Sequence, residues 1–243
     1  MEYKAYSFDL DDNLLRLPTL VYLLDKDGKE ISLPTYEYEK IRDTLSDEGY
    51  SLYEKSFDDF IDDDRFLLDI EDSVEAGSWK NLVKCICKHG SIFSIITARG
   101  HSPEALRQGL KGQILKRFNE ENISDFKKRL AENFSVNVEN KSNEDLLDIY
   151  LDFCRFYPIT YPEIKKRLNG VKNLSDSELK YVAFQDFQKY VNDFVKEKYG
   201  SDCEVKIGFS DDSIIHLKTM INNILKSHGL FFYQTSDEGK SLF

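Results

Sequence analysis

The chain has 243 residues, with 44 Asp and Glu against 33 Lys and Arg, and a net charge of -11 at pH 7. That length buries a full core and allows one domain with a sizeable insertion, while the acidic balance argues against non-specific attraction to nucleic acid or membrane surfaces. The amino terminus lacks a leader pattern and no run approaches the roughly 18 apolar residues of a membrane span, so the expectation is a cytoplasmic protein handling a small ligand.

In chain order, Ala5-Tyr6-Ser7-Phe8 reads as a short buried strand that ends in Asp9-Leu10-Asp11-Asp12-Asn13. Residues two apart on extended chain share a face. Asp9 and Asp11 therefore aim at one point, where their repulsion calls for a cation or a shared proton. Residues 19–24 and 29–33 flank Asp25-Lys26-Asp27-Gly28, whose Asp-Gly ending signals a hairpin. Residues 36–45 read as helix. The stretch 56–75, with Asp62-Asp63-Asp64, reads as a solvated acidic loop without the ligand spacing of an EF-hand.

Trp79, Leu82, Val83 and Ile86 recur at helical spacing between a Ser78 start and a Gly90 stop. Ser91 to Thr97 follows as a near-continuous buried strand, and Ala98-Arg99-Gly100-His101 leads into a helix opened by Ser102, Pro103 and Glu104. Residues 110–200 read as a long helical excursion, with patterns at 124–133, 143–153, 161–168 and 175–198. Their charges alternate in sign, as on solvated helix faces. A strand at 203–209, then Ser210-Asp211-Asp212-Ser213, a helix at 214–225 containing His216, and a strand at 230–234 complete the chain. Cys85 and Cys87 point to different helix faces, so all four cysteines read as reduced and structural.

Strand, helix, strand, helix, strand predicts a parallel sheet with right-handed crossovers, and ligands of such sheets sit beyond the carboxyl ends of the strands. Asp9 with Asp11, Thr97, and Asp211 with Asp212 then converge on one crevice. An oxygen-rich set of this kind suits magnesium and phosphoryl transfer.

These residues carry a family resemblance. Phe8-Asp9-Leu10-Asp11-Asp12-Asn13, Ile95-Ile96-Thr97-Ala98-Arg99 and Phe209-Ser210-Asp211-Asp212 resemble, in order and strand context, the first, second and fourth motifs of the haloacid dehalogenase (HAD) superfamily of phosphohydrolases. Asn13 stands in a slot usually held by threonine, a change expected to alter the hydrogen bonds that orient Asp11. The resemblance implies a doubly wound, Rossmann-like α/β core over 1–109 and 175–243, with a hairpin and helical extension at 14–77 and a helical cap at 110–174. It implies that Asp9 is the nucleophile, Asp11 the general acid and base, and Thr97 with the Ala98 N–H the phosphoryl ligand. Mg2+ would be held by Asp9, Asp11 (through its carbonyl), Asp212 and Asp211. Lys180 fits the third-motif lysine, with Lys189 as the alternative, and Lys206 faces away from the crevice. Arg99 and His101 are candidate substrate contacts, balanced by capping and surface roles, and His216 is a structural group or a partner of the acids. The expected activity is Mg-dependent hydrolysis of a small phosphomonoester, a nucleotide or sugar phosphate, through an aspartyl-phosphate. The alternatives are a phosphate- or protein-binding module on the same fold, or a polynucleotide 3′-phosphatase.

Overall fold

The computed structural model describes residues 1–42, 44–169, 173–223, 229–236 and 239–243. In chain order, β1 (Glu2–Phe8) is followed by β2 (Leu15–Arg16), the hairpin β3 (Leu20–Leu24) and β4 (Glu30–Pro34), α1 (Thr35–Ile41) and a 3-10 turn at Asp58–Phe60. Next come α2 (Asp63–Glu71), β5 (Val74–Glu75), α3 (Trp79–Val83) with a π-helical continuation at Lys84–His89, and β6 (Phe93–Thr97). The remainder is α4 (Pro103–Arg117), α5 (Glu120–Phe134), α6 (Asn143–Asp152), β7 (Arg155–Pro158), α7 (Pro162–Asn169), α8 (Asp176–Tyr199), β8 (Glu204–Asp211), α9 (Ile214–Asn223), β9 (Leu230–Ser236) and β10 (Gly239–Leu242).

The central sheet is mixed and mostly parallel, in the order β10-β9-β8-β1-β6-β7, with β10 antiparallel at one edge. β6 is buried at every position, as a strand covered on both faces must be. β1 alternates, and its two faces meet different helices. Tyr3 packs on Phe194 and Tyr199 of α8 at ring distances of 6.0 and 5.6 Å, whereas Tyr6 stacks on His89 of the π-helical turn at 5.8 Å. Helices thus cover both faces, the layering of a doubly wound α/β fold. α8 is fixed at its start by a capping box of Ser175 and Glu178, and it buries Leu179, Ala183, Phe184, Phe187, Val191 and Val195 at helical spacing.

From β1 the chain passes to β6 and β7 on one side, then returns to β8 and β9 on the other. The strand order reverses at β1, which is parallel to both its neighbours, and the crevice beyond its carboxyl end is where such sheets bind ligands.

Two expectations are corrected. The 110–174 stretch is not wholly helical, because Arg155–Pro158 is the edge strand β7, paired with β6 so that Thr97 lies beside Pro158. Four residues ending in proline give little strand signal, and proline is tolerated there because an edge strand needs fewer donors. The 56–75 stretch is not a loop. Asp62 caps α2 by accepting from the Arg65 N–H at 3.1 Å, and Phe66 and Ile70 are buried one turn apart. The acids that suggested solvation sit in the first turn, where the helix dipole favours negative charge. The last residues of the expected helix 214–225 lie outside the described residues.

The extension has its own small core of Val21, Leu23 and Leu45, flanked by Ile31, Leu33, Tyr38, Ile41, Tyr50 and Phe60. It stands over the carboxyl edge of the sheet and forms one wall of a cavity there. Among the described residues, no helix is long and apolar enough to cross a membrane.

Candidate active site

Each strand that borders the crevice delivers its polar group at its last residue or just beyond. The Asp9 N–H donates to the Ser210 carbonyl at 2.9 Å, which carries the β1–β8 ladder one step past the strand and sets Asp9 level with Asp211. Carboxylate oxygens of Asp9, Asp211 and Asp212 lie within 4.8 Å of one another. Asp9 is 5% exposed and Asp211 fully buried, so neither charge has much water to spread into.

Lys180, in the first turns of α8 and 1% exposed, answers them. Its Nζ donates to Asp9 Oδ1 at 2.8 Å and to Asp211 Oδ2 at 2.8 Å. Burial works against the ammonium, but Asp211 and Asp9 outweigh it and hold the Lys180 pKa above its ordinary value. Burial also works against the Asp211 carboxylate, yet Lys180 and His216 pull its pKa below the usual range. His216 Nδ1 is 3.2 Å from Asp211 Oδ2, and the Ser213 N–H donates to Oδ1 at 2.9 Å. Asp9 and Asp212 are less well served. Burial pushes Asp9 well up in spite of Lys180, and burial followed by the Asp211 charge pushes Asp212 up to about 8.

That imbalance is the test of a metal. Three carboxylates against one ammonium leave two negative charges, the amount one divalent cation neutralises. Oxygen ligands around Mg2+ at about 2.1 Å sit roughly 3 to 4 Å from one another, so the cluster needs little closure to form a shell. The donor set fits a hard divalent ion, with Asp9 and Asp212 lining the cavity and Asp211 behind them holding Lys180. Among the described residues this is the one group of acids, histidines or cysteines with that geometry, and the Asp62-Asp63-Asp64 run does not form another.

Asp11 lies outside that cluster. Arg99 holds it in a forked pair, with Nε donating to Oδ1 and Oδ2 at 3.1 and 2.8 Å and Nη2 to Oδ1 at 2.7 Å. The same Nη2 donates to Thr19 Oγ1 at 2.9 Å, and the guanidinium lies over Phe60 at 4.7 Å and Phe66 at 5.5 Å. Arg99 is itself 1% exposed. Its Nε and Nη2 are engaged by Asp11 and Thr19 and its plane by ring faces, while the buried Nη1 has no hydrogen-bond partner. Thr97 Oγ1 accepts the Arg99 N–H at 3.3 Å, which leaves the hydroxyl proton free to donate elsewhere, and Thr97 and Ala98 both line the cavity.

The remaining candidates fall into place around this centre. Asn13 does not orient the Asp11 carboxylate. Its amide donates to the Asp9 carbonyl at 2.8 Å and to Ser210 Oγ at 3.2 Å, and accepts from Thr235 Oγ1 at 2.6 Å, tying the ends of β1, β8 and β9 together. His101 is fully buried, with Nε2 3.1 Å from the Asp59 carbonyl, and it does not line the cavity. Lys189 is exposed on α8. Lys206 pairs with Glu2 and Glu204 at the far end of the sheet.

Sequence reasoning missed Thr19, which bonds Arg99, and Tyr38, Phe57, Phe60 and Thr160, which line the cavity. Thr160 Oγ1 donates to the Ala98 carbonyl at 2.7 Å and so braces the loop that follows β6. Aromatic residues in an extension carry no signal of their direction until the extension is placed.

Fold and site together define an α/β protein with a lysine-clamped carboxylate cluster at the reversal point of its sheet. Compared with known proteins, the chain matches no family model, no curated protein and no solved structure.

Proposed function

We propose that this protein is a magnesium-dependent phosphatase of the haloacid dehalogenase type, acting on a small phosphomonoester. The observation that carries the reading is the cluster of Asp9, Asp211 and Asp212 within 4.8 Å, held by the buried Lys180, with Asp11 and Thr97 beside it in one cavity. In this reading Asp9 attacks phosphorus and the bond to the ester oxygen breaks, that oxygen taking a proton from Asp11. Asp11 then takes a proton from water, whose oxygen attacks the aspartyl-phosphate. The bond to Asp9 breaks, phosphate leaves and the carboxylate is restored. Lys180 keeps Asp9 oriented, and the Thr97 hydroxyl and the Ala98 N–H are available to the phosphoryl oxygens. Mg2+ held by Asp9, Asp212 and Asp211, with the Asp11 carbonyl, would neutralise charge on the transferring group. Four free cysteines, three of them buried, support a reducing, cytoplasmic setting.

The direct test is hydrolysis of p-nitrophenyl phosphate with Mg2+, lost in Asp9→Asn and on chelation. No turnover across a broad panel of phosphate esters with Mg2+ loaded would refute it. One observation favours a second reading, a phosphate-binding module with little turnover: Asp11 is already held by three hydrogen bonds from Arg99. Under that reading Asp11→Ala keeps ligand affinity and there is no turnover to lose; under the first, turnover falls. The excess of carboxylates around the cavity disfavours a polynucleotide substrate.

A further inference from the structure

Besides the acidic cluster, the cavity has a wall that phosphoryl transfer does not need. Tyr38 of α1 and Phe57 and Phe60 of the 3-10 turn region line it. Their rings meet edge to face, Tyr38 on Phe57 at 5.7 Å and 79°, Phe57 on Phe60 at 5.7 Å and 78°. Phe57 is 39% exposed and Ile61, beside it on the same wall, 63% exposed. Apolar side chains that border a cavity and remain open to solvent mark a binding surface. The volume of about 450 Å³ lies within the range that takes a whole small molecule, and is far more than a phosphate alone requires.

The charge around the cavity narrows what that molecule can be. Its lining holds six carboxylates against two guanidinium groups and one ammonium. All three cations have carboxylate partners: Lys180 on Asp9 and Asp211, Arg99 on Asp11, and Arg42 on Glu39 at 2.9 Å; the one Arg99 nitrogen without a partner, Nη1, is buried away from solvent. A divalent ion at the acidic cluster would serve the transferring phosphoryl group alone. A second anionic group on the substrate would face this acidic lining without a cation to receive it.

Resting on the phosphatase reading for its reaction, but not for its binding surface, we propose that the substrate's leaving alcohol carries a flat, uncharged aromatic ring system. It seats against Phe57, Phe60 and Tyr38, and monoesters bearing a further phosphate are excluded. A nucleoside monophosphate has this chemistry, whereas a sugar phosphate lacks the ring face and a nucleoside bisphosphate carries the excluded charge. Stacking one ring contributes about a tenfold or larger gain in affinity.

The test uses the full chain with Mg2+ and three probes: adenosine 5′-monophosphate, glucose 6-phosphate and adenosine 3′,5′-bisphosphate. The expected result is kcat/KM for the monophosphate about tenfold or more above either of the others. In Phe57→Ala that preference over glucose 6-phosphate collapses through KM, and in Phe57→Tyr it is retained. Equal or better use of glucose 6-phosphate or of the bisphosphate overturns the proposal, as does a Phe57→Ala effect that is the same for all three probes. Calorimetric binding of the monophosphate and the bisphosphate is measured in parallel. If neither these probes nor the broad panel of phosphate esters is hydrolysed, the phosphatase reading fails. The aromatic site then stands if Phe57→Ala weakens binding of the monophosphate about tenfold, and falls if that affinity is unchanged or the bisphosphate binds as well.

Discussion

Replacing Lys180 by Met tests the charge balance of the site without reference to any substrate. The ammonium is 2.8 Å from Asp9 and 2.8 Å from Asp211, and the three side chains are 2, 7 and 0% exposed. Methionine keeps the unbranched shape and most of the volume, so the packing loss is small and the electrostatic loss dominates. Breaking a buried pair by removing one partner costs about 3 to 5 kcal/mol, and here one removal strands two carboxylates. For a chain of this size that corresponds to a fall in Tm of roughly 10 °C. Part of the loss is relieved by proton uptake, since burial already pushes Asp9 up. The deficit is therefore largest at neutral pH and shrinks as pH falls. A divalent cation relieves it too, so the rise in Tm on adding Mg2+ is larger in Lys180→Met than in the parent protein. Calorimetric melts in chelator and in Mg2+, with Asp211→Asn added to restore balance, measure each part. A Lys180→Met variant that loses less than about 1 kcal/mol in chelator, as an exposed ion pair would, refutes the reasoning, as does one that Mg2+ fails to stabilise further.

Three more outcomes follow from the geometry. Arg99→Gln removes the fork that holds Asp11, so turnover of alkyl phosphates, which need a proton delivered to the leaving oxygen, falls about 100-fold. Turnover of p-nitrophenyl phosphate, whose leaving group needs none, falls far less; an equal loss on both would assign Arg99 a purely structural role. Gly109→Ala in α4 sets a Cβ 2.8 Å from Phe66 Cε1 and 3.1 Å from Ile70 Cδ1. Overpacking of that contact costs about 1 to 3 kcal/mol in denaturant melts, and a neutral result would mean that α2 does not pack there. His101 is held neutral, with a pKa lowered by burial and then by Arg99 to about 4 from 6.5. The unfolded chain takes up a proton below about 6.5 while the folded chain does not, so stability is lost as pH falls from there toward 4, at most about 3 kcal/mol. Urea melts of the parent protein and His101→Gln should converge in stability across that window, and a pH-independent difference would contradict this.

The sequence determined the strand ends. Apolar runs that stop at Asp9, Thr97 and Asp211 define their own carboxyl edges, because a buried strand cannot carry an unpaired carboxylate and hydrophobic period is local information. The family resemblance favoured Lys180 and left Lys189 open; the structure places Lys180 on Asp9 and Asp211 and leaves Lys189 exposed. What the sequence misjudged were elements whose signal is diluted. β7 is four residues ending in proline, and α2 hides its buried Phe66 and Ile70 among acids that belong to its cap and first turn.

Tertiary structure alone decided the partnerships. That Arg99 grips Asp11 depends on Thr19 and Phe60, which are 80 and 39 residues away in sequence and reach it only when the extension folds over the sheet. That Asn13 ties three strands depends on Ser210 and Thr235 arriving from the other end of the chain. The aromatic wall likewise exists only once the extension's own small core of Val21, Leu23 and Leu45 sets its angle to the crevice. Strand ends follow from local hydrophobic pattern, whereas pairing and cavity shape are set by long-range packing, to which a linear pattern of residue types is blind.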